Sequence, residues 1–190
     1  MRIITTNAWC RWLLAGCLVG ACGCQTVPRD TVTQISTIDA LLAGAYDGQV
    51  PCARLASLGN LGIGTFEGLD GEMIVLDREV YQAKADGRIY RPPAGATTPF
   101  AAMVEFRGDQ ELTVRDGTDF PGFQRLIDAA SPNTNLLCAV KFEGRFRHIQ
   151  VRSVPGQSKP YPPLVEVTRH QPVFDHDEVE GTLVGFRLPS

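Results

Sequence analysis

The sequence predicts an α/β protein of the α+β type, with mixed, largely antiparallel sheets and a few short helices. Between residues 62 and 114, short apolar runs are separated by turn signals containing Gly and Asp, which is typical of an antiparallel meander. Helical spacing of apolar residues occurs in only a few short stretches. The chain has 190 residues, enough for one domain with a hydrophobic core, or for one domain and part of a second.

The charge pattern does not favour a nucleic-acid partner. Charged residues make up 21% of the chain, the net charge is −3, and the basic residues are scattered rather than clustered. Binding to a phosphate backbone calls for a basic patch or stripe. We therefore expect a globular protein that does not bind nucleic acid.

The N-terminus has the pattern of an export signal. Arg2 and Arg11 form a positive flank without acidic residues, and residues 12–21 are uncharged and too few to span a bilayer. Small residues precede two cysteines, as in a bacterial lipobox; we favour Cys22, which follows a core of better length, over Cys17, which is nearer the consensus. The protein is thus expected to be exported, as a membrane-anchored lipoprotein or in free periplasmic or extracellular form. The alternative is an uncleaved or mis-assigned start.

Three stretches are predicted to be helical. Ser36–Asp39 resembles a capping box and predicts an amphipathic helix that starts at Ile38 and runs to Ala45. Cys52–Leu58 is predicted as a second short helix, with Gly59 as the residue that ends it. The third predicted helix is Phe120–Ala130, which stops before a Ser-Pro pair.

Most other elements are predicted as strands. The predicted strands of the meander and its continuation are Gly62–Phe66, Glu72–Leu76, Val80–Ala83, Arg88–Arg91, Ala101–Phe106 and Glu111–Val114. A long hairpin is predicted from Leu137–Phe142 and Phe146–Val154, with its turn at residues 143–144. Leu164–Thr168 is predicted as a strand after a proline-rich link, and Glu180–Phe186 as a last strand without a partner, which would be an exposed edge.

The cysteines and histidines of the body do not form a recognisable metal motif. Cys52 and Cys138 are far apart and lack the spacing of a zinc site, so we expect two buried free thiols, although an exported protein could join them. The three histidines are His148, His170 and His176, and we expect them at the surface or at strand edges.

Three longer strings carry a family resemblance. They are GIGTFEGLDGEMIVLD at residues 62–77, RSVPGQSKPYPPL at residues 152–164, and QPVF at residues 171–174 followed by VEGTLVGFR at residues 179–187. In this order they resemble the bacterial α-acetolactate decarboxylases, and the similarity extends from about Thr33 to Pro189. The resemblance implies conversion of 2-acetolactate to acetoin and carbon dioxide at a zinc ion.

The resemblance also implies a fold of two mixed α/β domains, usually paired as a homodimer. We accordingly divide the chain into a signal peptide with lipobox (1–22), a linker (23–34), an N-terminal mixed α/β domain (35–154) and the start of an incomplete C-terminal domain (155–190).

The resemblance assigns two catalytic residues. Loss of carbon dioxide from a β-keto acid leaves an enediolate, so the site has to stabilise negative charge and then supply a proton. Glu72 matches the family's site glutamate near the zinc, and Arg152 matches its site arginine. From the residues alone, Glu72 would be interpreted as a solvent-facing residue beside a turn and Arg152 as a surface cation. Lys159, Tyr161 and Glu166 lie in matching strings and are predicted to be structural.

The family's zinc is held by histidines that follow the EGTLVGF strand, and this sequence stops at Ser190, before that segment. Glu72 is therefore the one expected metal-site residue present, and we expect zinc to bind weakly or not at all and turnover to be low. Three hypotheses remain. The first is a decarboxylase with an incomplete reading frame, and the second is a non-catalytic, lipid-anchored remnant that serves as a binding or structural module. The third is a zinc enzyme that uses His170 and His176 with new partners.

Overall fold

The computed structural model describes residues 2–7, 31–131, 133 and 135–189. The strands of the described residues are β1 (Arg2–Asn7), β2 (Val32–Ile35), β3 (Val50–Pro51), β4 (Leu61–Thr65), β5 (Glu72–Leu76), β6 (Glu79–Ala83), β7 (Ile89–Tyr90), β8 (Thr97–Thr98), β9 (Phe100–Val104), β10 (Gln110–Thr113), β11 (Cys138–Arg152) and β12 (Val173–Arg187). The helices are α1 (Ile38–Leu42), α2 (Phe120–Ala130) and α3 (Leu164–Thr168), with 3-10 helices at Cys52–Ser57 and Glu67–Leu69.

The larger sheet has six strands in the order β2-β9-β4-β5-β6-β7, and every neighbouring pair is antiparallel. Strands β4 to β7 follow one another along the chain and form the predicted meander. The predicted fold class is confirmed by this sheet and by the short helices around it. A separate two-stranded sheet joins β3 to β8.

One face of the six-stranded sheet carries the largest buried cluster. Its members come from alternate positions of the central strands, from the 3-10 helix Cys52–Ser57 that covers them and from the residue after β4: Cys52, Leu55, Phe66, Met73, Val75, Ala101 and Met103. Gly62 is required beside β9, because a Cβ at this glycine would lie 2.6 Å from the carbonyl oxygen of Ala102. Burial raises the pKa of the Cys52 thiol to about 11, so this thiol is protonated and unreactive at neutral pH. Cys52 and Cys138 are both buried, as predicted, and each is a thiol rather than half of a disulfide.

The second sheet has the order β10-β1-β11-β12. Helix α2 packs on this sheet through a buried cluster of Val114, Ile127, Val140 and Phe142. Strand β1 pairs with β11 only as far as Glu143, whereas β12 follows β11 from Cys138 to Arg152. Beyond residue 143 the two long strands therefore continue as a two-stranded ribbon.

Two predictions in this region are wrong. The predicted hairpin at residues 143–144 is one continuous strand, because Glu143 and Gly144 pair with Thr182 and Gly181 of β12. The last predicted strand does have a partner, since residues 180–186 are part of β12 and pair with β11, but β12 is the last strand in the sheet order and so forms an edge, as predicted. The predicted boundary between residues 154 and 155 separates these two paired strands, and the division into two domains stays a prediction.

The helices also differ from prediction in detail. Helix α1 is capped by Thr37, whose side chain accepts from the Ala40 amide at 3.2 Å, while Ser36 has a φ of +61° and cannot serve as the cap. The helix ends at Leu42, three residues early. Helix α2 has its predicted bounds and is capped by Asp119.

A predicted strand is in fact helix α3. Pro163 precedes it, and Val167 on its inner side is buried against Leu41 and Tyr46. Packing of this helix against α1 thus overrides the strand tendency of its β-branched residues. The predicted helix after Pro51 is a 3-10 helix, and Gly59 does not end it in a left-handed conformation. A Cβ at Gly59 would instead lie 2.4 Å from the Val104 carbonyl oxygen.

The N-terminal strand β1 lies between β10 and β11. The predicted signal-peptide core at residues 12–21, together with Cys17 and Cys22, lies outside the described residues. Within the described ranges, none of the helices combines the length and the apolar character that crossing a bilayer requires.

Candidate functional site

Glu72 is the first residue of β5 and follows a tight turn with unusual backbone conformations. Leu69 in this turn is buried at φ +57°, and Gly71 has a φ of +92°. A Cβ at Gly71 would lie 2.4 Å from the carbonyl oxygen of Ala83, so only glycine fits at that position. The turn therefore sets the direction in which Glu72 enters the sheet.

Polar side chains on the neighbouring strands hold this turn in place. The amide group of Gln82, which is buried, donates to the carbonyl and carboxylate oxygens of Asp70. Lys84 forms an ion pair of 2.7 Å with the same carboxylate. The Thr65 hydroxyl donates to the Gly71 carbonyl at 2.8 Å. Both ends of the turn are thus fixed before Glu72 begins β5.

The segment that follows β11 packs against the same corner. Ser153 is buried, and its hydroxyl donates to the carbonyl oxygen of Ala83 at 2.7 Å. The amide of Val154 donates to Oε1 of Glu72 at 3.4 Å. Further along, the amide of Gln157 donates to the Gly68 carbonyl at 2.6 Å. The RSVP string therefore reaches Glu72 directly.

The remainder of this string is anchored to the loop after α1. Lys159 forms an ion pair of 2.8 Å with Asp47, and the Tyr161 hydroxyl donates to the same carboxylate at 3.2 Å. The hydroxyl of the fully buried Tyr46 donates to the Pro162 carbonyl at 2.8 Å. These contacts agree with the structural role predicted for Lys159 and Tyr161.

Burial raises the pKa of the Glu72 carboxyl above its usual value, and the amide of Val154 opposes this effect by stabilising the carboxylate. A carboxyl group in this environment holds its proton to higher pH than one in water, which favours a role as a proton donor. Along β5, Ile74 projects to the same face as Glu72 and pairs with Ile63 on β4, and both side chains are partly buried. An apolar surface therefore adjoins the acid.

Arg152 is the last residue of β11 and lies opposite Val173 of β12. Its side chain is exposed and makes no hydrogen bond or ion pair within the described parts of the chain. Because Val154 contacts Glu72 only two residues later, the two predicted site residues occupy the same corner of the fold. A free guanidinium at this position can pair with an anionic ligand.

Sequence reasoning did not find Ser153 or Gln82 as members of the site. Both are buried polar side chains that hydrogen-bond to the backbone around Glu72. Their pairing partners are distant in sequence, so no local pattern marks them. Two cavities, of about 350 and 430 Å³, lie elsewhere and are lined by neither Glu72 nor Arg152.

A zinc site cannot be assembled from the residues that the structure describes. Among them, no three His, Cys, Asp or Glu side chains are grouped in a way that could hold a metal ion. His148 lies on the exposed ribbon and is hydrogen-bonded to Asp177 at 2.8 Å, and His170 and His176 are exposed, as predicted. Within the described part of the chain, Glu72 is therefore not accompanied by a ligand set, and the third hypothesis, based on His170 and His176, gains no support there.

Comparison with known proteins identifies a family. The family model for alpha-acetolactate decarboxylase matches residues 32–190. The alpha-acetolactate decarboxylase of Methylococcus capsulatus is 48% identical over 158 residues, and that of Methanosarcina mazei is 44% identical over 160 residues. These alignments cover 83% and 84% of this chain, but 61% and 56% of the relatives. The chain thus spans less than two thirds of the length of either relative.

The fold has a counterpart among solved structures. The crystal structure of alpha-acetolactate decarboxylase from Bacillus subtilis strain 168 matches with a TM-score of 0.81 and 37% sequence identity. The match covers 84% of this chain and 68% of that chain. The residues matched by the family model, 32–190, include the sequence strings that form the Glu72 corner.

Proposed function

The chain belongs to the alpha-acetolactate decarboxylase family, and on that premise we propose that the protein converts 2-acetolactate to acetoin and carbon dioxide. The observation that carries the proposal is the placement of Glu72, a partly buried acid, beside the end of β11, where Arg152 lies. This arrangement offers a proton donor and a cation to one small, anionic substrate.

The reaction needs one bond broken and one proton delivered. The bond between the carboxylate carbon and C2 of the substrate breaks, and its electron pair moves through C2 to the ketone oxygen, which gives an enediolate and carbon dioxide. A proton added at C2 then gives acetoin. Negative charge passes from the carboxylate to the ketone oxygen during the first step, so a fixed cation close to both groups lowers the barrier.

We assign the two steps to two side chains. Arg152 orients the substrate by pairing with its carboxylate and then faces the developing negative charge. Glu72, whose burial raises the pKa of its carboxyl, donates a proton to C2 in its acid form and is reprotonated from solvent. The methyl groups of the substrate fit the apolar surface of Ile63 and Ile74. No step is assigned to zinc, because the described residues do not form a ligand set for it.

The proposal is tested by measuring acetoin formation by the purified chain, with and without added zinc. Glu72→Gln keeps the shape of the side chain but removes the acid, and we expect its rate to equal the protein-free rate. Arg152→Lys keeps a charge but loses the planar donor fork, so we expect a raised KM and a reduced kcat. Glu79→Gln changes an exposed glutamate paired with Arg91 and should behave as the wild type. An active Glu72→Gln variant contradicts the assignment.

Export is a second proposal, supported by the N-terminal pattern. Cleavage before Cys22 or Cys17 would remove Arg2–Asn7, which the structure places between β10 and β11. Mass spectrometry of the protein from a membrane fraction should find a lipid-modified cysteine as the N-terminus. Recovery of an intact N-terminus from soluble protein would contradict export and would fit a retained β1.

A homodimer is a third proposal, supported by the resemblance to the family. The monomer mass of the full chain is 20.7 kDa. Light scattering of the purified protein across a range of concentrations should give twice the monomer mass. A monomer mass at every concentration would contradict this proposal without affecting the catalytic assignment.

A further inference from the structure

Glu72 belongs to a closed ring of contacts that also contains Ala83, Ser153 and Val154. Glu72 pairs with Ala83 across β5 and β6, the Ala83 carbonyl accepts from the Ser153 hydroxyl at 2.7 Å, and the next amide, that of Val154, donates to Glu72 at 3.4 Å. We propose that Ser153 is a positioning residue for the decarboxylation. Its hydroxyl holds the Val154 amide against the Glu72 carboxyl and fixes the position of Arg152 at the end of β11.

The geometry gives Ser153 this role because the two contacts of the ring differ in strength. The bond from the Ser153 hydroxyl to Ala83 is short and buried, with 3% of Ser153 exposed. The contact from Val154 to Glu72 is long, near the outer limit for a hydrogen bond. The short bond therefore holds the backbone in the place where the long one can form.

Removal of the hydroxyl should act locally, because the rest of the segment has its own anchors. The amide of Gln157 donates to Gly68 at 2.6 Å, and Tyr46 donates to Pro162 at 2.8 Å. Neither contact involves Ser153. The segment should therefore stay docked in Ser153→Ala, while the alignment of residues 152–154 loosens.

The inference rests on the proposed function, so its test has one readout that depends on activity and one that does not. Ser153→Ala removes the hydroxyl, Ser153→Thr retains it, and Ser57→Ala is the matched control. Ser57 also donates to a backbone carbonyl, that of Arg54, at 2.7 Å, but it is exposed and lies in the 3-10 helix that packs on the opposite face of β5 from Glu72. The measurements are kcat and KM for acetoin formation, and the hydrogen-exchange rate of the Val154 amide by NMR.

We expect kcat of Ser153→Ala to fall by about tenfold or more while KM changes by less than about twofold, since misalignment of the acid affects the chemical step more than binding. Ser153→Thr should recover most of the rate, and Ser57→Ala should equal the wild type. Exchange of the Val154 amide should be faster in Ser153→Ala only.

Two results would overturn the inference. One is a kcat of Ser153→Ala within about twofold of the wild type, or equal losses in the Ala and Thr variants, which would indicate a packing role alone. The other is an unchanged exchange rate at Val154 in Ser153→Ala. If the wild-type chain forms no acetoin, the proposed function fails, and the exchange rates still decide whether Ser153 positions this segment.

Discussion

Replacement of Gly71 by alanine should destabilise the protein more than replacement of Gly95, although the two glycines have nearly the same backbone conformation. The φ angle is +92° at Gly71 and +88° at Gly95. A Cβ at Gly95 would have no heavy atom within 4 Å, whereas a Cβ at Gly71 would lie 2.4 Å from the Ala83 carbonyl oxygen. Gly95→Ala therefore reports the cost of a side chain at positive φ, about 1–2 kcal/mol.

The additional cost at Gly71 comes from the carbonyl group of Ala83. This group has to move by about 1 Å to restore ordinary van der Waals contact, and it accepts the buried hydroxyl of Ser153. Loss of such a bond costs about 1–3 kcal/mol. We expect the free energy of unfolding of Gly71→Ala to lie below that of Gly95→Ala by about this amount.

Urea denaturation followed by circular dichroism measures the free energy of unfolding of both variants and of the wild type. If the two variants are equally stable, the close approach of Gly71 and Ala83 is not a constraint on the turn, and the reasoning about how Glu72 is directed into β5 is refuted. Greater stability of Gly71→Ala than of Gly95→Ala would refute it more strongly.

Two further predictions concern the same corner. Burial raises the pKa of Glu72 above its usual 4.5, so the folded state binds the proton more tightly than the unfolded chain. This contribution to stability is fully present below pH 4.5, the pKa of the unfolded chain, and is lost as pH rises through the higher pKa of the folded state. Glu72→Gln should therefore remove part of the fall in urea midpoint between acidic pH and pH 8, and an identical pH dependence in both proteins would contradict this. Tyr46→Phe removes the bond to Pro162 and should lower the free energy of unfolding by about 0.5–1.5 kcal/mol in urea denaturation. Tyr90→Phe, which removes an exposed bond to a carboxylate, should cost less, and the reverse order would count against the anchoring role of Tyr46.

The sequence predicts local elements better than long-range pairing. The meander could be predicted because its turn signals lie directly between the strands, and β5 has its predicted bounds from Glu72 to Leu76. Gly144 was misleading because a glycine beside an acid is a common turn signal, yet here it continues a strand opposite Gly181. The prediction of a strand at Leu164–Thr168 is wrong because packing against α1 decides the conformation of that short segment.

The same contrast between local patterns and long-range contacts applies to the candidate site. Glu72 and Arg152 could be named from strings that resemble a known family, but the strings do not say what joins them. The contact runs from Val154 to Glu72, and the buried hydroxyl of Ser153 supports it from β6. Partners 70 and 82 residues apart in the chain leave no periodic or local signal, so only the folded structure reveals this ring.

The most direct test of the central claim follows the carboxylate of the substrate. The purified chain is incubated with 2-acetolactate carrying carbon-13 in its carboxylate, beside Glu72→Gln and a protein-free sample. We predict equal amounts of labelled carbon dioxide and unlabelled acetoin from the wild type, at a rate above both comparison samples. Product formation at the same rate in all three samples, or in the wild type and Glu72→Gln alike, would contradict the assignment of Glu72 as the acid of a decarboxylase.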